Sequence, residues 1–293
     1  MHFCFIIEAE YRHERMPMLI ARKLLQWGHQ VDLLEPQITI TSLSDMARTG
    51  YDAYVLKTVS NGPGLSILEA AEAAGIPTIN HSRAIRLVRD KAIATTRAIA
   101  HHLPTPYTYF VAHPGLLSQV PAHDYPLVVK PTNGSSCRAI YKVNSPQDLA
   151  TIDTTAAGHC FFLAQHYVEN SGYDVKLYVA GSQVFAVAKR SPLHPEVEVD
   201  KRLIPINLEW RDLALQVGKI FGLDIYGLDI VETENGPIVV DINDFPSFGR
   251  VPDAINLVAA YIIDIAARHV RQRLDHSTYE QISSLLDETA ASA

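Results

Sequence analysis

The stretch Tyr226-Gly-Leu-Asp-Ile-Val-Glu-Thr-Glu-Asn-Gly-Pro-Ile-Val-Val-Asp-Ile-Asn-Asp-Phe-Pro246 decides the fold. Two runs rich in Ile and Val flank the polar turn Glu234-Asn235-Gly236-Pro237, a pattern that predicts an antiparallel hairpin. With the turn centred near Asn235, Asp229 falls opposite Asp241. Asn243 then shares a strand face with Asp241, because side chains alternate along a strand. Two carboxylates and an amide oxygen converge. Like charges facing one another destabilise a hairpin, so the pair calls for a compensating cation. Oxygen donors without His or Cys suit Mg²⁺, which takes carboxylates and completes its shell with water and substrate phosphates. Asp229, Asp241 and Asn243 are therefore the candidate metal ligands, and the ion implies a nucleotide. The competing reading, with one Asp in solvent and the other capping the turn, is outweighed by what lies upstream.

The chain of 293 residues is long enough for one large domain or a few small ones. No apolar run approaches the roughly 20 residues needed to cross a bilayer, so no membrane span is expected. The opening Met1-His-Phe-Cys-Phe-Ile-Ile-Glu8 is too short and lacks the basic start of a signal peptide, and reads as a first core strand. Cys4, Cys137 and Cys160 are odd in number and have no metal-like spacing, which fits a reducing, cytoplasmic setting. Cys4 reads as core. A net charge of −7 offers no general attraction to nucleic acid or to an anionic membrane, although a local basic pocket is compatible with it.

Residues 1–80 alternate strand and helix, which predicts a parallel α/β unit, with Gly28 and Gly75 just past helix ends where left-handed caps belong. One helix is expected from Ser82 to His101 as a linker, ended by Pro104 and Pro106. Strands follow near 107–111, 126–130 and 139–143, then a short helix 146–152. Further strands are expected over 161–168, 174–179 and 184–190, then a helix 208–221, the hairpin, and a long amphipathic helix from Pro252 to about Arg273. The tail 276–293 has a weak pattern and is expected to fray.

Beside the hairpin stand Val128-Val-Lys-Pro-Thr-Asn-Gly-Ser-Ser-Cys-Arg138 and Ala164-Gln-His-Tyr-Val-Glu169. In that order the three blocks resemble the ATP-grasp superfamily. The ending Asp241-Ile-Asn-Asp-Phe-Pro-Ser-Phe248 is similar both to RimK and glutathione synthetase type ligases and to inositol 1,3,4-trisphosphate 5/6-kinases. The resemblance implies an N-terminal parallel α/β substrate domain (1–80) followed by a two-lobed ATP-grasp fold with antiparallel sheets (81–275). Its lid lobe would span about 105–167 and its C-terminal lobe about 168–275. It also implies ATP and Mg²⁺, with two ions and Mn²⁺ as a substitute. The partners it implies are ATP and a small-molecule or peptide acceptor; paired subunits are common in the family, so a homo-oligomer is compatible with the resemblance, while the sequence itself leaves the oligomeric state open.

Lys130 ends an apolar strand before Pro131, where its ammonium is held in place for phosphate. Gly134, Ser135 and Ser136 follow as a loop whose N–H groups can cradle an anion. The resemblance assigns Lys130 and this loop to the ATP phosphates and Lys91 to the nucleotide. It assigns the hinge residues Gln165, Tyr167 and Val168 to adenine and Glu169 to the ribose hydroxyls. Asp174 and Lys176 share a strand face: Lys176 is a phosphate contact and catalytic candidate, while Asp174 either holds it or touches substrate. Lys189 and Arg190 point to opposite faces of their strand, so one of them enters the site. Arg190 is chosen as catalytic, since a guanidinium suits an acyl phosphate or oxyanion and matches the family's arginine. Cys137 stands where such ligases often carry glycine, and reads as a small hydrophobe.

The sequence thus supports an ATP- and Mg-dependent carboxylate-amine ligase working through an acyl phosphate. Phe245-Pro-Ser-Phe248 and Arg250-Val-Pro-Asp253 keep a small-molecule kinase as the alternative, and a nucleotide-binding module without turnover is the third reading. Acceptor identity depends on loops such as 8–15, where Tyr11, Arg12, His13 and Arg15 are either anion contacts or an ordinary polar loop.

Overall fold

The apolar run Phe3 to Ile7 has no polar alternation, the mark of a strand covered on both faces, and all of it is buried. The computed structural model describes residues 1–13, 15–57, 62–132, 140–154, 161–170 and 172–271. Within them the chain forms two compact units. The first takes Met1–Leu56, Pro63–Ile79 and the described residues from Ile255 on; the second takes Asn80–Ala254 with Lys57 and Gly62.

The first unit contains β1 (His2–Ile7), α1 (Arg15–Gln26), β2 (Gln30–Leu34), β3 (Ala53–Lys57), α2 (Pro63–Ala73) and β4 (Thr78–Ile79), in a sheet of order β2-β1-β3-β4 with β1/β2 and β3/β4 parallel. Helix α1 buries Met16, Ile20 and Leu24, spaced to fall on one face. Gly28 and Gly75 have φ of 85° and 77°, the left-handed caps expected. Burial pushes the Cys4 thiol up to about 12, in keeping with its place in the core. Glu8 is wholly buried and accepts from the Gly64 backbone N–H (2.7 Å) and Gln37 Nε2 (2.9 Å), so its carboxylate caps α2. Arg12, a candidate anion contact, is ion-paired with Glu35.

The second unit begins with α3 (Ser82–Arg89) and α4 (Lys91–Ala100), two helices where one was expected. Asp90 breaks the run, because its carboxylate accepts from the Ala92 and Ile93 N–H groups and caps α4. A sheet of order β5-β8-β6-β7 follows, built from β5 (Thr108–Val111), β6 (Leu127–Pro131), β7 (Tyr141–Val143) and β8 (Phe162–His166), its paired strands antiparallel. The expected helix after Asn144 is a 3-10 helix, Pro146–Thr151. Next come β9 (Tyr173–Ala180), β10 (Gln183–Arg190), β11 (Arg202–Ile204), α5 (Leu208–Phe221), β12 (Ile225–Thr233) and β13 (Gly236–Asp244), giving an antiparallel sheet of order β11-β10-β9-β12-β13. A last helix, α6, spans 254–271.

Alternation along β9 sets the orientation of this sheet. Val175, Leu177 and Val179 are fully buried and cluster with Leu213, Ala214, Val217 and Phe221 of α5. Asp174, Lys176 and Tyr178 necessarily project from the other face. The expected hairpin is β12/β13, and Asp229 does pair with Asp241. Its turn is shorter than a centre at Asn235 implies: Thr233 pairs with Gly236, and a bulge at Val240 restores the register before Asp229. Without the bulge Val240 would face Asp229, and Asp241 would turn toward the buried side.

Candidate functional site

Register brings Lys176 of β9 opposite Asp229 of β12, and Lys189 of β10 opposite Asp174 of β9. Directly opposed residues share a face, so Asp174, Lys176, Lys189, Asp229 and Asp241 meet on the side away from α5. Lys176 Nζ lies 2.9 Å from Asp229 Oδ2 and Lys189 Nζ 2.7 Å from Asp229 Oδ1. Lys189 Nζ is also 3.9 Å from Asp174. Lys91, at the start of α4, ion-pairs with Asp241, while Arg89 ion-pairs with Asp244 at 2.8 Å. The two basic residues flanking the Asp90 cap thus fasten the end of β13. Lys130 Nζ donates to the Val240 carbonyl at 2.7 Å, the group displaced by the bulge. Asn243 Nδ2 donates to Asp229 Oδ2 at 3.3 Å, and a half-turn of the amide presents its oxygen instead.

Gly227 pairs with Asn243 and makes this crossing feasible. A Cβ there would stand 3.3 Å from Lys176 Cε, 3.3 Å from the Leu177 carbonyl and 3.2 Å from Pro246 Cγ. Glycine leaves the channel through which the Lys176 side chain reaches Asp229.

Electrostatics follow from this packing. Burial pushes the Asp229 carboxyl up, but the Lys176 and Lys189 ammoniums outweigh it and hold the group well below the usual range. Asp241 is likewise held down by Lys91 and Lys130 against burial and against Asp229. Burial dominates at Asp174, pushing it up despite Lys189 and Ser191, and at Asp244 despite Arg89 and Lys57. A depressed folded pKa adds stability in full above the unfolded value, and that stability is lost as pH falls through the folded one. The advantage of the wild type over Asp229→Asn in urea unfolding is therefore expected to be full at neutral pH and to shrink below about pH 4. An advantage that grew with acid would contradict the pairing.

A cleft beside the acid pair is lined by Lys91, Thr95, Lys130, Gln165, Val239 and Asp241. Three residues expected to contact nucleotide thus share a cleft with a candidate metal ligand. The hinge is less open. Tyr167 N–H already donates to the Pro126 carbonyl (2.9 Å), and the Val168 carbonyl accepts from Asn170 Nδ2 (2.9 Å). Tyr167 Oη is 2.7 Å from His194 Nε2, and Glu169 is exposed. Gly134, Ser135, Ser136 and Cys137 lie outside the described residues.

Arg190 requires a correction. It is exposed and donates to the Pro195 carbonyl at 3.4 Å, whereas its neighbour Lys189 enters the site. Both residues sit on one strand, and the register of β10 on β9 decides between them: Lys189 opposes Asp174, on the face of Lys176. Sequence reasoning also missed Thr95, although Asp90 was a readable N-cap that would have placed Thr95 on the same helix face as Lys91.

Metal fit rests on donor chemistry. Among the described residues no group of three His, Cys, Asp or Glu side chains is arranged to hold a metal. The set is two ionised carboxylates and an amide, hard donors matched to Mg²⁺. The sequence argument that apposed acids need a bound ion is partly met by the protein itself, since Lys91, Lys176 and Lys189 already compensate them.

An antiparallel sheet carrying acids and lysines, facing a second antiparallel sheet across a cleft with its own strand-end lysine, defines the ATP-grasp class. The model of the RimK-like ATP-grasp domain matches residues 88–266, and the chain belongs to that family. It is an ATP-grasp ligase, an enzyme that forms carbon-nitrogen bonds. A probable alpha-L-glutamate ligase of Haemophilus ducreyi (strain 35000HP / ATCC 700724) is 28% identical over 213 residues, covering 69% of each chain. The RimK domain ATP-grasp protein of Sphaerobacter thermophilus DSM 20745 shares the fold with a TM-score of 0.68 at 19% identity, over 89% of this chain and 99% of that one. The ATP-grasp ligase PsnB, solved with a minimal precursor, Mg and ADP, gives 0.66 at 19% identity, over 90% and 98%. These likenesses do not favour the kinase alternative. Among the described residues no helix is long and apolar enough to cross a membrane.

Proposed function

We propose that this ligase activates a substrate carboxylate with ATP and Mg²⁺ and couples it to an amine, giving an amide, ADP and phosphate. The observation that carries this reading is the meeting of Asp229 and Asp241 across the β12/β13 pair, at one end of the cleft holding Lys91, Lys130 and Gln165. Asp229, Asp241 and Asn243 would hold Mg²⁺, which when bound draws charge from the terminal phosphate. A carboxylate oxygen attacks the γ-phosphorus, and the bond to the bridging oxygen breaks as ADP leaves. The amine nitrogen then attacks the acyl carbon, phosphate departs, and the amine's surplus proton passes to phosphate or water.

The side chains supply position and charge rather than a covalent nucleophile. Lys91 and Lys130 are placed for the nucleotide phosphates. Lys176 and Lys189 are placed for the transferred group, releasing Asp229 as phosphate oxygens take its place beside them. Lys189 takes the role that the sequence suggested for Arg190. The family's named glutamate ligase and the precursor bound by PsnB support an amino acid or peptide as the acceptor.

Oxygen-18 in the substrate carboxylate tests the route. An acyl phosphate passes one labelled oxygen into the released phosphate, read by mass spectrometry, and hydroxylamine traps it as a hydroxamate. Amide formation with unlabelled phosphate would remove the acyl phosphate from the mechanism.

A further inference from the structure

Just past Lys189, which enters the site, β10 ends at Arg190 and the chain continues as a strap, residues 191–197, that returns to the hinge. Its own backbone shapes it: His194 N–H donates to the Ser191 carbonyl at 3.2 Å, and Val197 N–H donates to the His194 carbonyl at 3.1 Å. Ser191 is buried at the near end. At the far end Val197 packs on Gly172, where φ is 82° and a Cβ would stand 2.8 Å from Val197 Cγ2, so glycine is required there twice over. His194 sits between these two anchors.

Its proton placement follows from its neighbours. Glu196 Oε1 lies 3.1 Å from His194 Nδ1, and a carboxylate has no hydrogen to offer, so Nδ1 carries the proton and donates it. In the neutral imidazole Nε2 is then the acceptor, and the Tyr167 hydroxyl donates to it at 2.7 Å. The His194 side chain is only 18% exposed, which shields that bond from water. Lys142 Nζ of β7 lies 3.5 Å from the centre of the Tyr167 ring, close enough for a cation–π contact. One hinge tyrosine is therefore held on its ring by the β5-β8-β6-β7 sheet and at its hydroxyl by the strap. The transfer chemistry uses neither contact.

We propose that His194, oriented by Glu196, clasps Tyr167 and so ties the strap that follows Lys189 to the nucleotide hinge. His194 is then a positioning residue, acting on the reaction through Lys189 without touching substrate. Tyr167 follows Gln165, which lines the nucleotide cleft, by two residues, and its N–H is fixed on the Pro126 carbonyl at 2.9 Å. A nucleotide settling against Gln165 thus meets a stiff piece of chain whose far side is bonded to the strap. Docked and undocked strap are the two states, and nucleotide binding favours the docked one. The coupling is reciprocal, so a docked strap must tighten nucleotide binding by the same factor. The proposal rests on reading Lys189 as a residue of the transfer site.

Strap opening can be followed without turnover. Trypsin cleaves after Arg190, Lys201 and Arg202, which flank the strap, and cleavage there tracks the opened population. The full chain is digested with and without a saturating non-hydrolysable ATP analogue and Mg²⁺, and the fragments are assigned by mass spectrometry. The analogue is expected to slow strap cleavage in the wild type by about fivefold or more, the scale of one net hydrogen bond. Tyr167→Phe and His194→Ala should each reduce that protection to less than about twofold and weaken analogue binding, read by calorimetry, by about fivefold. Combining them should do no more than either alone, because both remove one bond. Tyr167→Phe guards against misfolding, since it keeps the ring beneath Lys142 and takes away a single hydroxyl. Full protection in Tyr167→Phe, equal strap cleavage in the wild type with and without analogue, or additive losses in the double variant would overturn the clasp. Absence of amide product with nucleotide-dependent protection intact would count against the ligase reading alone.

Discussion

Asp229→Asn is expected to lower substrate-dependent ADP release by about a thousandfold, the range seen when one preorganised electrostatic group is removed from a transfer site. Asp229 stands at the centre of the charge pattern: it faces Asp241 across the hairpin, ion-pairs with Lys176 and Lys189, and accepts from Asn243. Replacing it removes one of the two carboxylates proposed to hold Mg²⁺ and the anion that positions both lysines. Folding suffers as well. Two apposed carboxylates alone would gain from losing one charge, but here Lys176 and Lys189 would be left without their partner, and the sign reverses. The cost is about 3 kcal/mol, the lower end for breaking a buried pair, because both lysine side chains keep some access to solvent. Initial rates at saturating ATP and urea unfolding at neutral pH measure the two effects. Turnover within a few-fold of wild type would end the assignment of Asp229 to the reacting centre.

Lys189→Met and Arg190→Met are expected to separate sharply although the residues are adjacent. Lys189 Nζ touches Asp229 and lies near Asp174, on the face of Lys176, so its loss should reduce turnover by about a hundredfold while ATP binding changes little. Arg190 lies on the opposite side of β10 and is exposed, its contact being a weak one to the Pro195 carbonyl, so its loss should cost less than about threefold. Removing Lys189 leaves Asp229 paired with Lys176, so stability should fall by less than in Asp229→Asn. The pair of variants is a direct assay of strand facing. A larger loss from Arg190→Met would mean that the face carrying Arg190, not that of Lys189, meets the substrate.

The cleft and the hairpin were legible because they depend on local signals. A polar Asn-Gly turn between Ile- and Val-rich runs specifies an antiparallel pair, and an unbroken apolar run at the start specifies a buried strand. Lys130 and Gln165 could be singled out because each sits at or near the end of an apolar strand, where geometry is fixed by the sheet. The division at Asp90 was equally readable, since an aspartate with two free N–H groups after it is an ordinary cap, but the periodicity of 82–101 runs through it and hid the break.

Alternation alone determined that Asp174 and Lys176 share a face, that Lys189 and Arg190 do not, and that Asp241 and Asn243 project together; these are properties of a strand's period of two. Which face each strand turns to the cleft was decided only by tertiary pairing. The bulge at Val240 set Asp241 against Asp229, and the register of β10 on β9 chose Lys189 over Arg190. The physical reason is that a one-residue slip reverses every side chain while leaving the pattern of the strand unchanged, so the apolar face packed on α5 fixes what no local window can.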